Sequence, residues 1–309
     1  MSTPSGTPHR VLVGGTASGK KALATALFRR HGLRPLAMDS MKVYRGMDLG
    51  TDKPAPAVVA ETGYGLIDTV GHHESYSTGR WAEDAAAEVR ATDGPVLFTG
   101  GTPLYLRALL EGLYDGPPAD LALRDELTRQ WQERGEAWFR AQLAAVDPEL
   151  EARLMAGDQK RLLRGLEVFR ATGRPLSEWQ RDETRPPVPG AFLVVGLRPQ
   201  VDWHARRCQA RARAMFSGGL LDEVRELLER GPFGPEPGRC IGYAEAQSVL
   251  AGELDEAAAV ERVVIRTRQL VRKQRMFLAR FEAIRWVDVG PETTEAGLLA
   301  DLEQALELA

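Results

Sequence analysis

A glycine-rich segment near the start of the sequence carries the clearest chemical signal. Residues 14–20 read G-G-T-A-S-G-K, the G-x-x-x-x-G-K spacing of a phosphate-binding loop. Such loops point backbone N–H groups at phosphate oxygens, and the lysine adds a full positive charge. An ordinary glycine-rich turn is the alternative interpretation. The predicted phosphate-binding residues are Gly14, Gly15, Thr16, Ala17, Ser18, Gly19, Lys20 and Lys21.

The residue after the loop lysine departs from the usual pattern. Phosphate-binding loops place Ser or Thr there, and its hydroxyl binds Mg²⁺, whereas this chain has Lys21. A protonated lysine has no lone pair to offer a metal ion. Either phosphate oxygens, water and a carboxylate hold the metal, or this copy of the loop is impaired. The metal-ligating residues are therefore unknown from the sequence.

Two further polar residues follow apolar runs that predict strands. Asp39 follows residues 36–38, and Thr102 follows residues 96–98 after two glycines. Ligands of α/β sheets bind beyond the carboxyl ends of the strands, so we expect both residues beside the loop. Asp39 is either a general base or a helix N-cap, and Thr102 is either a ligand contact or an N-cap.

The absence of two other motifs narrows the reaction class. The run at residues 96–98 ends in T-G-G-T, where many loop-containing ATPases place an Asp, and no N-K-x-D motif for a nucleobase occurs. A nucleotide-hydrolysing switch is thus disfavoured relative to a transferase that uses the loop to hold a leaving diphosphate.

The elements that must position these residues predict an α/β fold. Short apolar runs at residues 11–13, 36–38, 66–68, 96–98 and 192–197 alternate with helical patterns, which indicates βαβ units and a parallel sheet. Helical periodicity without a strand pattern covers residues 121–134, 137–145 and 160–171. We therefore predict a P-loop nucleoside-triphosphate-hydrolase-like parallel sheet with flanking helices and a helical insertion. The predicted segments are 1–113, 114–190 and 191–309.

Composition and charge taken as totals argue against a nucleic-acid protein. The 309 residues include 40 basic and 43 acidic side chains, for a net charge of −3. Two cysteines exclude a disulfide scaffold and cysteine-cluster metal sites, which fits a reducing cytoplasm. With no signal-peptide or membrane-span pattern, we expect a cytoplasmic protein.

Charge read by position gives a different picture. Residues 262–280 contain seven Lys or Arg and no acidic residue. On a helix, one arc is apolar and is formed by Val263, Val264, Leu270, Val271, Phe277 and Leu278. Such a helix either offers basic rows to a phosphate backbone or is simply solvated. Further basic clusters lie at Arg206, Arg207, Arg211 and Arg213, and at Lys160, Arg161 and Arg164.

Six motifs in register resemble those of one family, the tRNA dimethylallyltransferases or isopentenyl-tRNA transferases. Residues 14–21 are similar to G-P-T-A-S-G-K-S/T, residues 39–54 to D-S-x-x-x-Y-x-x-M/L-D-I-G-T-A-K-P, and residues 100–105 to G-G-T-x-L-Y. Residues 160–168 are similar to Q-R-L-x-R-A-L-E-V, residues 239–245 to R-x-I-G-Y-x-E, and residues 268–274 to T-R-Q/R-L/Y-A-K/R-R/K-Q. Within the glycine-rich loop, the chain departs from the pattern at Gly15 and Lys21.

The resemblance implies a reaction and roles for individual residues. The dimethylallyl group of dimethylallyl diphosphate is transferred to N6 of the adenine on the 3′ side of the anticodon, with Mg²⁺ as cofactor. Lys20 and the loop amides hold the diphosphate, and Thr102 contacts its bridging oxygen. Arg211 neutralises developing charge, and Asp39 orients the adenine amine and takes its proton.

The resemblance also implies tRNA as a partner, with the adenine flipped out of the anticodon loop and the helical insertion acting as a clamp. The implied tRNA contacts are Asp39, Ser40, Met41, Lys42, Thr102, Arg124, Lys160, Arg161, Leu162, Leu163, Arg164, Arg239, Cys240, Ile241, Gly242, Tyr243 and Ala244. By the same analogy we expect a monomer, and the near-neutral total charge predicts a modest salt dependence of tRNA affinity.

Two other functions remain open from the sequence. A P-loop kinase of a small metabolite would bind ATP and retain no tRNA, and it would leave the basic helix unexplained. A catalytically weak tRNA-binding homologue, suggested by Lys21, would bind tRNA without transferring a prenyl group.

Overall fold

The computed structural model describes residues 8–114, 116–118, 120–182, 184 and 186–308; residues 1–7 of the predicted first segment lie outside them. The chain divides into two compact units. We call the described parts of Met1–Leu110 and Pro187–Ala309 the core unit, and those of Glu111–Pro186 the helical unit.

A five-stranded, entirely parallel sheet forms the centre of the core unit. The strands are β1 (His9–Gly14), β2 (Arg34–Met38), β3 (Val96–Gly100), β4 (Phe192–Pro199) and β5 (Ile284–Val289). Their order across the sheet is β2-β3-β1-β4-β5. Because β1 lies in the middle, its carboxyl end is flanked by those of β3 and β4. The predicted parallel α/β fold is confirmed.

Helices surround the sheet and connect its strands. Those before the helical unit are α1 (Lys20–His31), α2 (Pro56–Thr62), α3 (Thr78–Ala91) and α4 (Pro103–Glu111). The helical unit contains α5 (Leu121–Val146), α6 (Pro148–Arg153), α7 (Gln159–Thr172) and α8 (Leu176–Trp179). The later helices are α9 (Val201–Ser217), α10 (Leu220–Glu229), a 3₁₀ turn (Pro237–Arg239), α11 (Tyr243–Leu250), α12 (Glu256–Leu278) and α13 (Glu295–Ala305).

The structure corrects the strand prediction at two places. Residues 66–68 form no strand, because Leu66 and Asp68 have positive φ angles of 61° and 52°. Only an isolated bridge forms there, between Gly65 and Leu36. The sequence prediction also missed β5, which lies at the edge of the sheet and includes the exposed residues Arg285 and Asp288. An edge strand of this composition has no continuous apolar run.

Both units bury leucine-rich cores. In the core unit, Leu12, Leu97 and Val195 from three adjacent strands pack against Leu23 and Leu27 of α1. In the helical unit, the buried core includes Leu162 and Leu163 of α7.

Helix α5 bends at Gly135, whose φ and ψ of 72° and 175° are not helical.

Close packing joins α5 to α7 within the helical unit. A Cβ atom at Gly165 would lie 2.7 Å from Leu143 and 2.8 Å from Leu150. A larger residue at position 165 would require the ends of these two leucine side chains to move.

Helix α12 buries only part of the predicted apolar arc: Val263 and Leu278 are each 1% exposed. Leu270 is 37% exposed, whereas Thr267 and Gln274 are each 7% exposed. Val263, Thr267, Gln274 and Leu278 follow helical spacing along the face that packs toward α9 and α11. Polar side chains thus occupy part of a stripe expected to be apolar.

No helix among the described residues has both the length and the apolar character needed to cross a membrane.

Candidate active site

The glycine-rich loop between β1 and α1 closes around its own lysine. Lys20 Nζ donates hydrogen bonds to the carbonyls of Gly14 and Gly15 at 2.9 and 2.8 Å, and to Ser18 Oγ at 3.1 Å. Ala17 and Gly19 adopt left-handed conformations, with φ of 64° and 98°, which turn the chain into the helix. The loop therefore holds an ammonium group at the amino end of α1, where the helix also attracts anions.

The surroundings of Lys20 lower the pKa of its side chain. Burial lowers the pKa of Lys20 to about 7, and the nearby Lys42 ammonium acts in the same direction. The Asp39 carboxylate opposes this shift. A bound anion would stabilise the protonated form, so the loop is matched to a negatively charged group.

Asp39 and Thr102 come together at the carboxyl ends of β2 and β3. Met41 N donates to Asp39 Oδ1 at 2.9 Å, and Ser40 N donates to Thr102 Oγ1 at 3.1 Å. Thr102 N donates to Met38 O at 3.2 Å, which ties the two turns together. Since β3 also pairs with β1, these turns and the glycine-rich loop lie at one edge of the sheet.

Gln274 joins this edge to the glycine-rich loop. Thr16 N donates to Gln274 Oε1 at 3.0 Å, and Gln274 Nε2 donates to Gly101 O at 2.7 Å. One buried amide from α12 thus fixes the loop after β1 against the loop after β3. Sequence reasoning assigned Gln274 no role. The one indication in the sequence is that Gln274, a polar residue, stands at the helical spacing of the residues on the buried face of α12.

Helix α9 supports the loop from another side. His204 Nε2 donates to Thr16 O at 2.7 Å, and Arg207 Nε donates to Ala17 O at 2.9 Å. Burial lowers the pKa of His204, which favours the neutral ring. Arg211 donates to Gly50 O at 3.1 Å, and its charge helps to lower the pKa of Lys20. The structure therefore brings Arg211 within electrostatic range of the loop lysine.

Lys21 lies in the first turn of α1 and forms an ion pair with Asp52. Its Nζ also lies 3.4 Å from Lys53 O. Lys42 Nζ donates to the backbone carbonyl of Asp52 at 2.8 Å, and burial lowers the pKa of Lys42. Asp52 is therefore the point where two lysines beside the loop meet.

The side chains at this position do not match a conventional Mg²⁺ site. The hydroxyl that would bind the ion is absent, and the Asp52 carboxylate is paired with Lys21. Across the described residues, no group of three or more His, Cys, Asp or Glu side chains is arranged to hold a metal ion. These residues therefore do not fit a bound Mg²⁺ ion.

The segment from Arg239 to Ala244 lies near Asp39 in the core unit. Burial and the Asp39 carboxylate raise the pKa of Cys240 to about 12, so this residue is a neutral thiol. Tyr243 is fully buried, donates a hydrogen bond to Glu223 and packs so closely on Gly50 that a Cβ there would lie 2.2 Å from its ring. Tyr243 thus shapes this segment from within, whereas Arg239 is exposed.

In the helical unit, the implied tRNA-contact residues have two kinds of environment. Lys160 and Arg161 are exposed, whereas Leu162 and Leu163 are buried in the leucine core. The side chains of these two leucines face the interior and hold the helix that carries the basic residues.

Arg124 and Arg164 are engaged within the helical unit. Both bind the buried Glu167 carboxylate, at 2.9 and 3.0 Å. Arg164 also donates to Pro117 O at 2.6 Å. Their guanidinium groups are thus partly used by the fold itself.

Comparisons with known proteins agree with the geometry. A family described as IPP transferase matches residues 42–281. A tRNA dimethylallyltransferase of Ralstonia nicotianae is 41% identical over 290 residues, covering 90% of each chain. One from Ralstonia pickettii is 39% identical, covering 94% of this chain and 90% of its own.

A solved structure also resembles this chain. The tRNA isopentenylpyrophosphate transferase of Bacillus halodurans superimposes with a TM-score of 0.70 at 25% identity. The match covers 98% of this chain and 97% of the other.

Proposed function

The chain belongs to the IPP transferase family, and on that premise we propose that it transfers the dimethylallyl group of dimethylallyl diphosphate to tRNA. The acceptor is N6 of the adenine on the 3′ side of the anticodon, and the products are N6-dimethylallyladenosine and diphosphate.

One observation carries the proposal. The glycine-rich loop with Lys20, the Asp39 turn and the Thr102 turn meet at the carboxyl edge of β1, β2 and β3, tied to one another by Gln274 and by the bond from Ser40 N to Thr102 Oγ1. A phosphate-binding loop and a carboxylate at one edge suit a reaction in which an amine displaces a diphosphate.

Each residue of the site has a role in the bond changes of the transfer. The N6–C1 bond forms as the C1–O bond breaks, and the electron pair of the broken bond leaves on diphosphate. Lys20 and the loop amides bind that diphosphate, while Arg211 and Thr102 stabilise the charge that develops on it. Asp39 orients the amine and accepts its proton. An exocyclic amine is a weak nucleophile, so holding it close to C1 contributes as much as removing the proton.

The tRNA contacts divide between the two units. In the core unit, the proposed contacts are the exposed Arg239 and the turn residues Ser40 and Met41, which directly follow Asp39. In the helical unit, the exposed Lys160 and Arg161 supply positive charge for the RNA backbone. A stacked adenine does not reach a carboxylate at a sheet edge, so the base is flipped out of the anticodon loop.

The cell compartment and assembly belong to the same proposal. Cys208 and Cys240 are free thiols, as expected of a protein in the reducing cytoplasm, where tRNA is modified. We propose that the protein acts there as a monomer.

The test is transfer of radiolabelled dimethylallyl groups to unmodified tRNA, with Asp39→Asn as the probe. Asp39→Asn keeps the side-chain shape and removes the base, so the transfer rate falls about 10²–10⁴-fold. Binding of tRNA, measured by filter retention, stays within about threefold of the unaltered protein, because an amide still fits the turn. Glu61→Gln, at a surface ion pair with Arg29, is the matched control and leaves the rate unchanged.

The same experiment separates the other functions. The transfer assay is run with and without Mg²⁺. A protein that binds tRNA but transfers no label in either solution is a binding homologue, and the proposal is then wrong. A protein that retains no tRNA on the filter, and that binds ATP in a separate binding measurement, is a small-metabolite kinase. Near-normal turnover by Asp39→Asn would remove Asp39 from the role of base while leaving the transferase intact.

A further inference from the structure

Two departures from the family pattern meet in space. Lys21 replaces the hydroxyl that follows the loop lysine, and Asp52 stands where the similar family motif has alanine. In the structure these two residues form an ion pair. A lysine introduced alone at position 21 would add charge repulsion at the positive end of α1. The Asp52 carboxylate reduces that repulsion by pairing with it.

The position of Lys21 is unfavourable for a purely structural cation. It lies in the first turn of α1, and that turn contains no acidic residue. Helix amino ends favour anions, so a second lysine beside Lys20 adds repulsion that the helix does not reduce. A cation kept at such a place is one that an incoming anion can use.

The ion pair between Lys21 and Asp52 can open, so that Lys21 can pair with a different anion. The side chains of Lys21 and Asp52 are 36% and 44% exposed, so water replaces either partner when the contact opens. Lysine carries its charge on a flexible four-carbon stem and can swing between two acceptors. Asp52 itself is held in place by Lys42, which donates to its backbone carbonyl at 2.8 Å.

We propose that the Lys21 ammonium takes the place of the divalent cation at this loop. Asp52 holds it in the free protein, and a bound diphosphate draws it to the phosphate oxygens. Diphosphate binding, and the release of diphosphate as leaving group, then need no divalent metal. This inference rests on the proposed function, because it concerns the same leaving group.

The test measures binding of inorganic diphosphate by calorimetry, in EDTA and in Mg²⁺, so that it does not depend on transfer. The unaltered protein binds in EDTA within about threefold of its affinity in Mg²⁺. Lys21→Thr restores the hydroxyl beside the freed Asp52 carboxylate, and its affinity in EDTA falls tenfold or more and recovers in Mg²⁺. Lys21→Met, which has neither charge nor metal ligand, is weakened in both solutions.

Two further variants define what the charge does. Lys21→Arg keeps the positive charge and remains insensitive to EDTA. Arg30→Met removes one positive charge from the last turn of the same helix, where Arg30 pairs with Glu303, and leaves diphosphate affinity unchanged. Circular dichroism melting verifies that each variant is folded.

The outcomes separate this inference from the function on which it rests. If the unaltered protein loses its diphosphate affinity in EDTA as strongly as Lys21→Thr does, Lys21 does not replace the metal. If binding is metal-independent as expected but no label reaches tRNA, the inference about Lys21 stands and the transferase proposal is wrong.

Discussion

Two carboxylates in this protein each gather basic side chains, but in opposite surroundings. In the helical unit, Glu167 is 1% exposed and binds both Arg124 and Arg164. It also accepts a hydrogen bond from Asp120 N at 2.9 Å. In the core unit, Asp52 is 44% exposed, pairs with Lys21, and offers only its backbone carbonyl to Lys42.

The difference separates cations used by the fold from cations available to a ligand. A buried carboxylate that loses its partners remains charged in a medium of low polarity, so its arginines are held firmly. An exposed carboxylate that loses its lysine is solvated at once. In the sequence, Lys21 and Arg164 are both basic residues inside motifs. Only the burial of the partner shows which of them can move to a phosphate.

The largest effect is expected from removing the partners of Glu167. Arg124→Met with Arg164→Met leaves a buried carboxylate without a cation, which lowers the free energy of unfolding by about 3–5 kcal/mol. Adding Glu167→Met as a third change replaces the group with apolar side chains and recovers most of that loss. Urea unfolding followed by circular dichroism measures both quantities. A loss under about 1 kcal/mol in the double variant would place Glu167 in the same class as Asp52.

Sequence reasoning succeeded where the determinants are local. The loop at residues 14–20 is defined by glycines and a lysine at fixed spacing, and the runs before Asp39 and Thr102 are apolar enough to identify β2 and β3. Parallel topology then brings their carboxyl ends together. These features need no information about distant parts of the chain.

The remaining features depend on contacts between distant residues. Gln274 lies 258 residues from Thr16 and 173 from Gly101, and no local pattern indicates that its amide joins them. The partner of Lys21 is 31 residues away. The sequence likewise gives no sign that Glu167 is buried, because its neighbours at 164 and 170 are charged.

Gln274 is a buried neutral group, and its hydrogen bonds are expected to contribute to the free energy of unfolding nearly as much as the ion pairs of Glu167. Gln274→Leu keeps the size of the side chain but leaves Thr16 N–H and Gly101 C=O without their partner, which costs about 2–4 kcal/mol in stability. Diphosphate affinity falls as well, because the loop amides lose their support. Gln269→Leu, an exposed site on the same helix, changes stability by less than about 0.5 kcal/mol. Equal effects of the two variants in chemical denaturation would remove Gln274 from this role.

Lys20 has a pKa of about 7, below the ordinary lysine value of 10.5, because it is buried. The unfolded chain binds this proton up to the ordinary value, so Lys20 makes the free protein more stable as pH rises between those two values. Diphosphate prefers the protonated form, so its affinity changes in the opposite direction. Relative to Lys20→Arg, which stays charged, the affinity of the unaltered protein falls up to about tenfold per pH unit above pH 7. Calorimetry from pH 6 to 9 measures the ratio, and a constant ratio would contradict the lowered pKa.

The smallest effect is expected at Asp52, and it tests the exposed half of the comparison directly. Asp52 has a φ of 56°, a conformation that asparagine adopts readily, so Asp52→Asn removes the charge without straining the backbone. Because the pair with Lys21 is exposed, the free energy of unfolding changes by less than about 1 kcal/mol. Asp52→Ala costs about 1–2 kcal/mol more, since alanine is strained at that φ, and the two variants together separate backbone strain from lost charge. A loss of 3 kcal/mol or more in Asp52→Asn, measured by urea unfolding, would show that Asp52 holds Lys21 as firmly as Glu167 holds its arginines. Lys21 could not then leave Asp52 for a phosphate at a small cost in free energy. The stability of Asp52→Asn therefore decides whether this exposed ion pair can supply its lysine to an anion bound at the loop.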